Sequence, residues 1–393
     1  MGHATSWIDH FVGNFKWSNA TLICKGMAPY GAVAIGEIDR IGDAMNARHD
    51  RDPDDPMIWQ EEWSALAARL EARADAEDAL GHRHTAGNYY VRAGNYWFTG
   101  ERFVPPGEPK LALYRRALRC FDAGFERRYP RMERVEVPYE GRTLAARFLP
   151  SLQQTRGALR RAPTVVLFNG LDNCKEMSVL FAGLEFSARG WNTLAIDGPG
   201  QGESLRLRGI HTRHDYEVAG RAAYDAVAAR ADVDPARVAV MGYSFGGYYA
   251  PRIAAFDKRF AACVAFGAMH WSIHEWVDTI RRTVAVDATK SAQSFFQVPW
   301  VFGAADLDAA LEMARRFDLT DVAPQIECPF LVLHGANDRI VPLDAGQRLY
   351  EAVGSRNKTL KTFSVEEGGA EHCQVDDRQM GVDYIADWLA ANV

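Results

Sequence analysis

Trp63, Leu66, Ala67 and Leu70 recur at i, i+3, i+4 and i+7, while alternating Val, Ile and Thr are absent from roughly the first 130 residues. This pattern predicts an all-helical N-terminal domain. Inside it, AGNYY at 86–90 returns as AGNYW at 93–97, a step of seven that sets Tyr89 and Tyr96 on one helix face. Two copies are too few for a solenoid. After FERRYPRMERV the texture changes. VEVPYEGRTLAARFLP alternates about a Glu140-Gly141 turn, and short apolar runs then alternate with helical stretches to the end. The boundary falls near residue 132, giving a helical domain over 1–131 and a second domain over 132–393.

Strands are predicted at 133–138, 143–149, 164–168, 192–196, 237–241, 261–266, 329–333 and 359–364. An opening hairpin followed by βα units predicts an α/β fold with a mostly parallel, doubly wound sheet. Met177, Leu180, Phe181 and Leu184 form a helical stripe that stops before Gly190, a C-terminal cap. Residues 267–328 read as a helical insertion with three tryptophans, Trp271, Trp276 and Trp300, placed to cover something.

Composition changes the picture mainly by exclusion. Of 393 residues, 48% are hydrophobic and 24% charged, the balance of a conventional folded core. A net charge of −6 without a block of Lys and Arg argues against a nucleic-acid partner. No segment approaches about 18 uninterrupted apolar residues, and MGHATSWIDHFVGN lacks a basic start followed by an apolar run, so neither a membrane nor export is expected. The six cysteines (24, 120, 174, 263, 328, 373) include no Cys-x-x-Cys pair, which points to free thiols and a reducing, cytoplasmic setting.

The strongest chemical signal is Gly242-Tyr243-Ser244-Phe245-Gly246, which follows an apolar strand and opens a helical run. The flanking glycines let a serine sit on a tight strand-to-helix turn, with its Oγ lifted clear of the sheet. Such a serine needs a base, and a carboxylate to orient that base, in the chain order Ser, Asp, His. PFLVLHGANDRIVPLDAG supplies Asp338 after one strand and GGAEHCQ supplies His372 after the next. Ser244 is thus expected as nucleophile, His372 as general base and then acid, and Asp338 as the group that sets the imidazole tautomer. Asp344 is the rival carboxylate, but it lies past Pro342 in the expected first turn of a helix, where an acidic residue simply suits the dipole.

An oxyanion hole is expected from the N–H of Phe245 and from the turn FNGLDNCKE, where Gly170 lets the chain bend and Leu171 donates its backbone N–H. Lys175 and Glu176 are expected to face solvent or to brace that loop. DGPGQGES at 197–204 lacks phosphate-loop spacing and reads as a rigid loop beside the site. His82 with His84, and His270 with His274, lack a fitting third ligand, so no metal is expected, nor any organic cofactor. Glu275 and Asp278 open the insertion where a strand end should approach the pocket, either as solvated helix residues or as acids that assist the substrate. Trp7, Trp17, Trp59, Trp63 and Trp97 crowd the first 100 residues, consistent with an aromatic pocket and equally with core packing.

On these motifs residues 132–393 resemble the α/β-hydrolase superfamily. With the helical N-terminal domain, NGLDNCKE, DGPGQGES and GYSFGG, the chain is similar to dihydroxypseudooxynicotine hydrolase and the fungal pigment hydrolases that shorten polyketides. The resemblance implies an N-terminal helical cap over the active site and a homodimer. It also implies hydrolysis of a carbon-carbon bond beside a ketone, through an acyl-serine formed on Ser244 with Asp338 and His372. The expected partner is a small apolar or aromatic carbonyl substrate. An esterase or lactonase, and an acyltransferase or cyclase using the same residues, are the alternatives.

Overall fold

The computed structural model describes residues 8–52, 55–153, 161–267 and 273–393; Trp7, His270 and Trp271 lie outside them. The chain forms two compact units, residues 1–132 with 280–297 and residues 133–279 with 298–393. Among the described residues no helix is long and apolar enough to cross a membrane. All six cysteines are free thiols, and all but the half-buried Cys328 are buried.

The first unit carries α1 (Phe15–Lys25), α2 (Ile35–His49), α3 (Ile58–Ala79), α4 (Arg83–Glu101) and α5 (Glu108–Arg128). Helix α3 buries Trp59, Trp63, Leu66, Ala67, Leu70 and Ala74, the i, i+3, i+4 stripe that defines it in the sequence. The repeat in α4 works through its glycines rather than its tyrosines. A Cβ on Gly94 would come 2.9 Å from the Phe121 ring, one on Gly87 2.8 Å from Arg128 Cγ, and one on Gly124 of α5 2.7 Å from Val91 Cγ2. Small residues at these crossings let α4 and α5 lie close together, whereas Tyr96 is buried and Tyr89 only half-buried. Trp59, Trp63 and Trp97 are core and Trp17 is half-buried: Trp59 packs 5.2 Å from Trp63 and 6.3 Å from Trp17, ring centre to ring centre, and Trp63 meets Tyr96 at 5.8 Å. Segment 280–297 joins this unit through contacts such as Lys290 Nζ donating to the Gly13 carbonyl at 3.1 Å.

The second unit is built on one sheet of β1 (Glu133–Tyr139), β2 (Arg142–Leu149), β3 (Ala162–Phe168), β4 (Asn192–Asp197), β5 (Val233–Tyr243), β6 (Ala262–Phe266), β7 (Phe330–Gly335) and β8 (Lys358–Phe363). Their order is β1-β2-β4-β3-β5-β6-β7-β8; β2 runs antiparallel to β1 and to β4, and every pair from β4 to β8 is parallel. Strands β3, β4, β6 and β7 are buried end to end, as parallel strands covered on both faces must be, which is why they read as continuous apolar runs. The outer strands keep alternation or lysines: Pro138 lies in β1, and β8 carries Lys358 and Lys361.

Helices α6 (Lys175–Ser178) and α7 (Leu184–Ala188) flank a π-helical turn over Val179–Gly183; every residue from Lys175 to Gly183 is buried, so the segment is closed all round rather than along one stripe, and Leu184 is only half-buried. Helices α8 (Gly202–Arg206), α9 (Glu217–Ala228) and α10 (Gly246–Phe256) follow, and the insertion supplies α11 (Ile273–Val286), which belongs to the first unit from Ile280 onward, α12 (Gln297–Phe302) and α13 (Leu307–Ala314). Helices α14 (Leu343–Ala352) and α15 (Arg378–Asn392) complete the unit.

Candidate active site

Strand β5 ends at Tyr243 and α10 begins at Gly246, so the whole connection is Ser244 and Phe245. Ser244 holds φ at 56°, a left-handed conformation that costs a residue with a Cβ about 1–2 kcal/mol. Its N–H donates to the Phe266 carbonyl at the end of β6 at 2.9 Å, and its own carbonyl accepts from Gly247 N at 2.7 Å. The glycines are sterically required. A Cβ on Gly242 would strike the Gly246 carbonyl, and one on Gly246 would come 2.8 Å from the carbonyl oxygens of Phe168 and Asn169. From Val238 to Ala250 every residue is buried except Ser244, so the turn presents one side chain out of a closed core.

His372, after β8, brings Nε2 to 2.9 Å from Ser244 Oγ and Nδ1 to 2.7 Å from Asp338 Oδ2. In the neutral tautomer that fits both, Nδ1–H donates to the carboxylate and Ser244 Oγ–H donates to Nε2. The Asp338 side chain is 1% exposed, and its Oδ1 accepts the N–H groups of Ile340 and Val341 at 2.8 Å each. Burial works to raise the Asp338 carboxyl, but the His372 charge, its hydrogen bond and the neighbouring His334 overrule it and hold the group below the usual range. His372 shows the converse: burial opposes its charge, yet Asp338 raises it well above the ordinary imidazole value. Asp344 lies in the first turn of α14, 61% exposed, 3.6 Å from Arg348.

The neighbours of these residues tie the two loops together, and sequence patterns gave no hint of it. Asn337 Nδ2 donates to Glu371 Oε1 at 2.5 Å, and Arg339 Nε to Glu371 Oε2 at 3.0 Å. Asp376 accepts the N–H groups of Ala370 and Glu371 at 2.9 and 3.0 Å. Cys373 and Gln374 follow His372 with φ of 52° and 48°, and Cys373 Sγ lies 3.5 Å from His372 Nε2.

The turn after β3 backs onto the serine: a Cβ on Gly170 would come 3.0 Å from Ser244 Cβ and 3.4 Å from its Oγ. Phe245 and Leu171 both have buried side chains, and among the described residues neither gives its N–H to another acceptor. The Phe245 ring lies 5.0 Å from Tyr249, 6.1 Å from Trp276 and 6.0 Å from both Phe302 and Phe317, an aromatic cluster behind the turn in which all but Trp276 are buried. Of the two acids of the insertion, Glu275 borders a cavity of about 420 Å³ with Trp276, Asp338, Arg339, Asp344 and Arg348, whereas Asp278 is not in its lining. His82 is engaged by Glu77 at 2.7 Å.

Lys175 and Glu176 do not face solvent. Both are 0% exposed, with Lys175 Nζ 2.9 Å from Glu176, 3.2 Å from Asp197 and 2.9 Å from Glu203, and Glu176 3.2 Å from Arg147. Burial opposes the Lys175 charge, but the three carboxylates keep it protonated. Burial likewise works against the Glu203 charge, yet Lys175 and Arg208 hold its carboxyl down to about 2. Two adjacent charges opening the stretch MSVLFAG were the available signal, since Ser178 is its one polar side chain and the segment has no charged face to turn outward.

The model of the serine aminopeptidase S33 family matches residues 161–368. The α/β hydrolase ucsC of Acremonium sp. is 32% identical over 271 residues, 64% of this chain and 54% of that protein, so the chain spans about half the length of this relative. The 2,6-dihydropseudooxynicotine hydrolase of Paenarthrobacter nicotinovorans is 28% identical over 349 residues, 86% of each chain. The crystal structure of 2,6-dihydroxy-pseudo-oxynicotine hydrolase superposes with a TM-score of 0.73 at 24% identity, covering 94% of this chain and 97% of that one. With an eight-stranded, mostly parallel sheet and a serine at the strand-to-helix turn, the chain belongs to the serine aminopeptidase S33 family of α/β-hydrolases.

Proposed function

We propose that the protein is a serine hydrolase that cleaves a carbon-carbon bond beside a ketone. The observation that carries the reading is the hydrogen-bonded chain from Ser244 through His372 to Asp338, with Ser244 strained at the only opening in a buried turn. His372 Nε2 takes the Ser244 proton as Oγ attacks a carbonyl carbon, and the N–H groups of Phe245 and Leu171 stabilise the oxyanion. The tetrahedral adduct collapses by breaking the bond to the α-carbon of the second carbonyl. That carbon leaves as an enolate and takes the proton from His372, because an unactivated alkyl carbanion is too basic to depart. Water then attacks the acyl-serine, His372 accepts its proton and returns it to Ser244, and the acid is released. Glu275 accepts a hydrogen bond from the enol or phenol hydroxyl of the departing part. The similarity to a dihydropseudooxynicotine hydrolase over most of both chains supports a ketone substrate, and Trp276, which lines the same cavity as Asp338, supports an aromatic one.

The test is a mass-spectrometric screen of aryl ketones, β-diketones, esters and lactones in ¹⁸O-labelled water. Cleavage of a ketone with one labelled oxygen in the acid product is expected. Efficient turnover of esters with no ketone cleaved overturns the carbon-carbon reading. Products free of label assign the acyl group to another acceptor.

A further inference from the structure

We infer that Asp197 is a positioning residue: it holds the turn between Asn169 and Lys175 so that the Leu171 N–H meets the carbonyl attacked by Ser244. The inference rests on the hydrolase reading above and goes beyond it.

Asp197 is the last residue of β4, wholly buried and remote in sequence from the reacting groups. Its Oδ1 accepts from Asn169 Nδ2 at 2.8 Å and from the Lys175 backbone N–H at 2.7 Å, so one oxygen pins both ends of the turn that contains Gly170 and Leu171. Its Oδ2 accepts from the Glu203 N–H at 2.8 Å and from Lys175 Nζ at 3.2 Å. Four donors fill the four acceptor sites of the carboxylate. Gln201 adds a second clamp: its amide donates to the Asn169 carbonyl and accepts from Gly198 N and the Tyr216 hydroxyl.

A buried ionic network is weak evidence for stability, because well-packed apolar side chains often serve as well or better. What apolar packing lacks is direction. Residues 169–174 belong to no strand or helix, and Gly170 adds backbone freedom where the chain passes closest to Ser244. A donor set wrongly by about 1 Å loses about a hundredfold in rate, so a turn of this kind needs fixed partners at both ends.

The experiment uses the full chain with Asp197→Asn, which removes one acceptor oxygen and inserts a donor, and with Asn169→Ala, which releases one tether only. Steady-state kinetics on a nitrophenyl ester are compared with inhibition by a trifluoromethyl ketone, whose serine adduct carries the oxyanion, and with melting temperature. Expected are a fall in kcat of about tenfold for Asn169→Ala and about a hundredfold for Asp197→Asn, KM within about threefold, and ketone affinity weakening in step with kcat. If Asp197→Asn does not fold, Asn169→Ala decides alone. A folded Asn169→Ala variant with kcat and ketone affinity within about twofold of wild type, whatever its melting temperature, overturns the inference. Failure of the hydrolase reading itself shows separately, as a wild-type chain whose Ser244 takes no fluorophosphonate.

Discussion

Asn337 and Glu371, the residues immediately before Asp338 and His372, are joined side chain to side chain at 2.5 Å. With Arg339 on the other carboxylate oxygen of Glu371, the loop after β7 and the loop before the histidine are held as one piece. The distance between Asp338 and His372 therefore does not depend on their own hydrogen bond alone. Replacing Glu371 by Ala removes both bonds, and hydrogen bonds to charged groups are each worth about 1.5–3 kcal/mol. Urea denaturation should show a loss of that order, and kcat should fall by about tenfold as the imidazole gains freedom. Unchanged kcat would mean that the Asp338–His372 bond suffices by itself.

Ser244 holds a conformation that suits glycine better than serine. Ser244→Ala should reduce turnover by about 10⁴-fold or more with an unchanged melting temperature, since alanine bears the same backbone strain. Ser244→Gly should be equally inactive and at least as stable as wild type. A glycine variant that melts well below the alanine one contradicts the strain at this turn.

Asp338→Asn should lower kcat by about 10⁴-fold, whereas Asp344→Asn, at an exposed helix start, should stay within about threefold of wild type. The reverse ranking moves the orienting role to Asp344.

The pH dependence follows from the direction of the His372 shift. Only the neutral imidazole can accept the Ser244 proton, and Asp338 raises the pH at which the ring loses its charge. The acid limb of kcat/KM should therefore lie above about pH 6.5, the ordinary imidazole value, and should move down in Asp338→Asn as the plateau falls. The same pair stabilises the fold with opposite signs at its two ends. The His372 contribution is complete below the unfolded imidazole value and fades as pH rises through the raised one. That of Asp338, held below its usual range, is present above the ordinary carboxylate value and is lost as pH drops through the lowered one. An acid limb in Asp338→Asn that stays in place, measured by rate against pH, removes Asp338 as the cause.

Two glycines should separate stability from catalysis. Gly242→Ala drives a methyl into the Gly246 carbonyl, which is backbone and cannot yield, so the variant should lose about 3 kcal/mol or more, or fail to fold. Gly170→Ala presses instead on Ser244 Cβ at 3.0 Å, and kcat should fall by about ten- to a hundredfold with a small change in melting temperature.

Glu275→Gln should depress cleavage of a ketone by orders of magnitude and spare a nitrophenyl ester, whose leaving group has no hydroxyl for Glu275 to hold. Asp278→Asn should affect neither, because Asp278 is not in the lining of the cavity that Glu275 borders. Parallel loss of both activities in Glu275→Gln assigns the residue to structure.

Much of the protein is written in local pattern. The eight strands are legible because strands covered on both faces must be apolar throughout and the outer ones must not be, and the turn at Ser244 is legible because only glycine fits at 242 and 246. The order of Ser244, Asp338 and His372 along the chain likewise follows from motifs at strand ends. Tertiary structure decided what local period does not encode. Residues 128 apart meet as His372 and Ser244 at 2.9 Å, and Glu371 reaches Asn337 and Arg339 across two loops. Lys175 and Glu176 read equally as surface charges or as braces of the loop until Asp197, Glu203 and Arg147 are brought around them, because the cost of burying a charge is set by the partners that other segments deliver. The repeat in α4 shows the same division: its seven-residue step is plain in the sequence, but only the approach of α5 makes Gly87 and Gly94, rather than the tyrosines, the residues that the step serves.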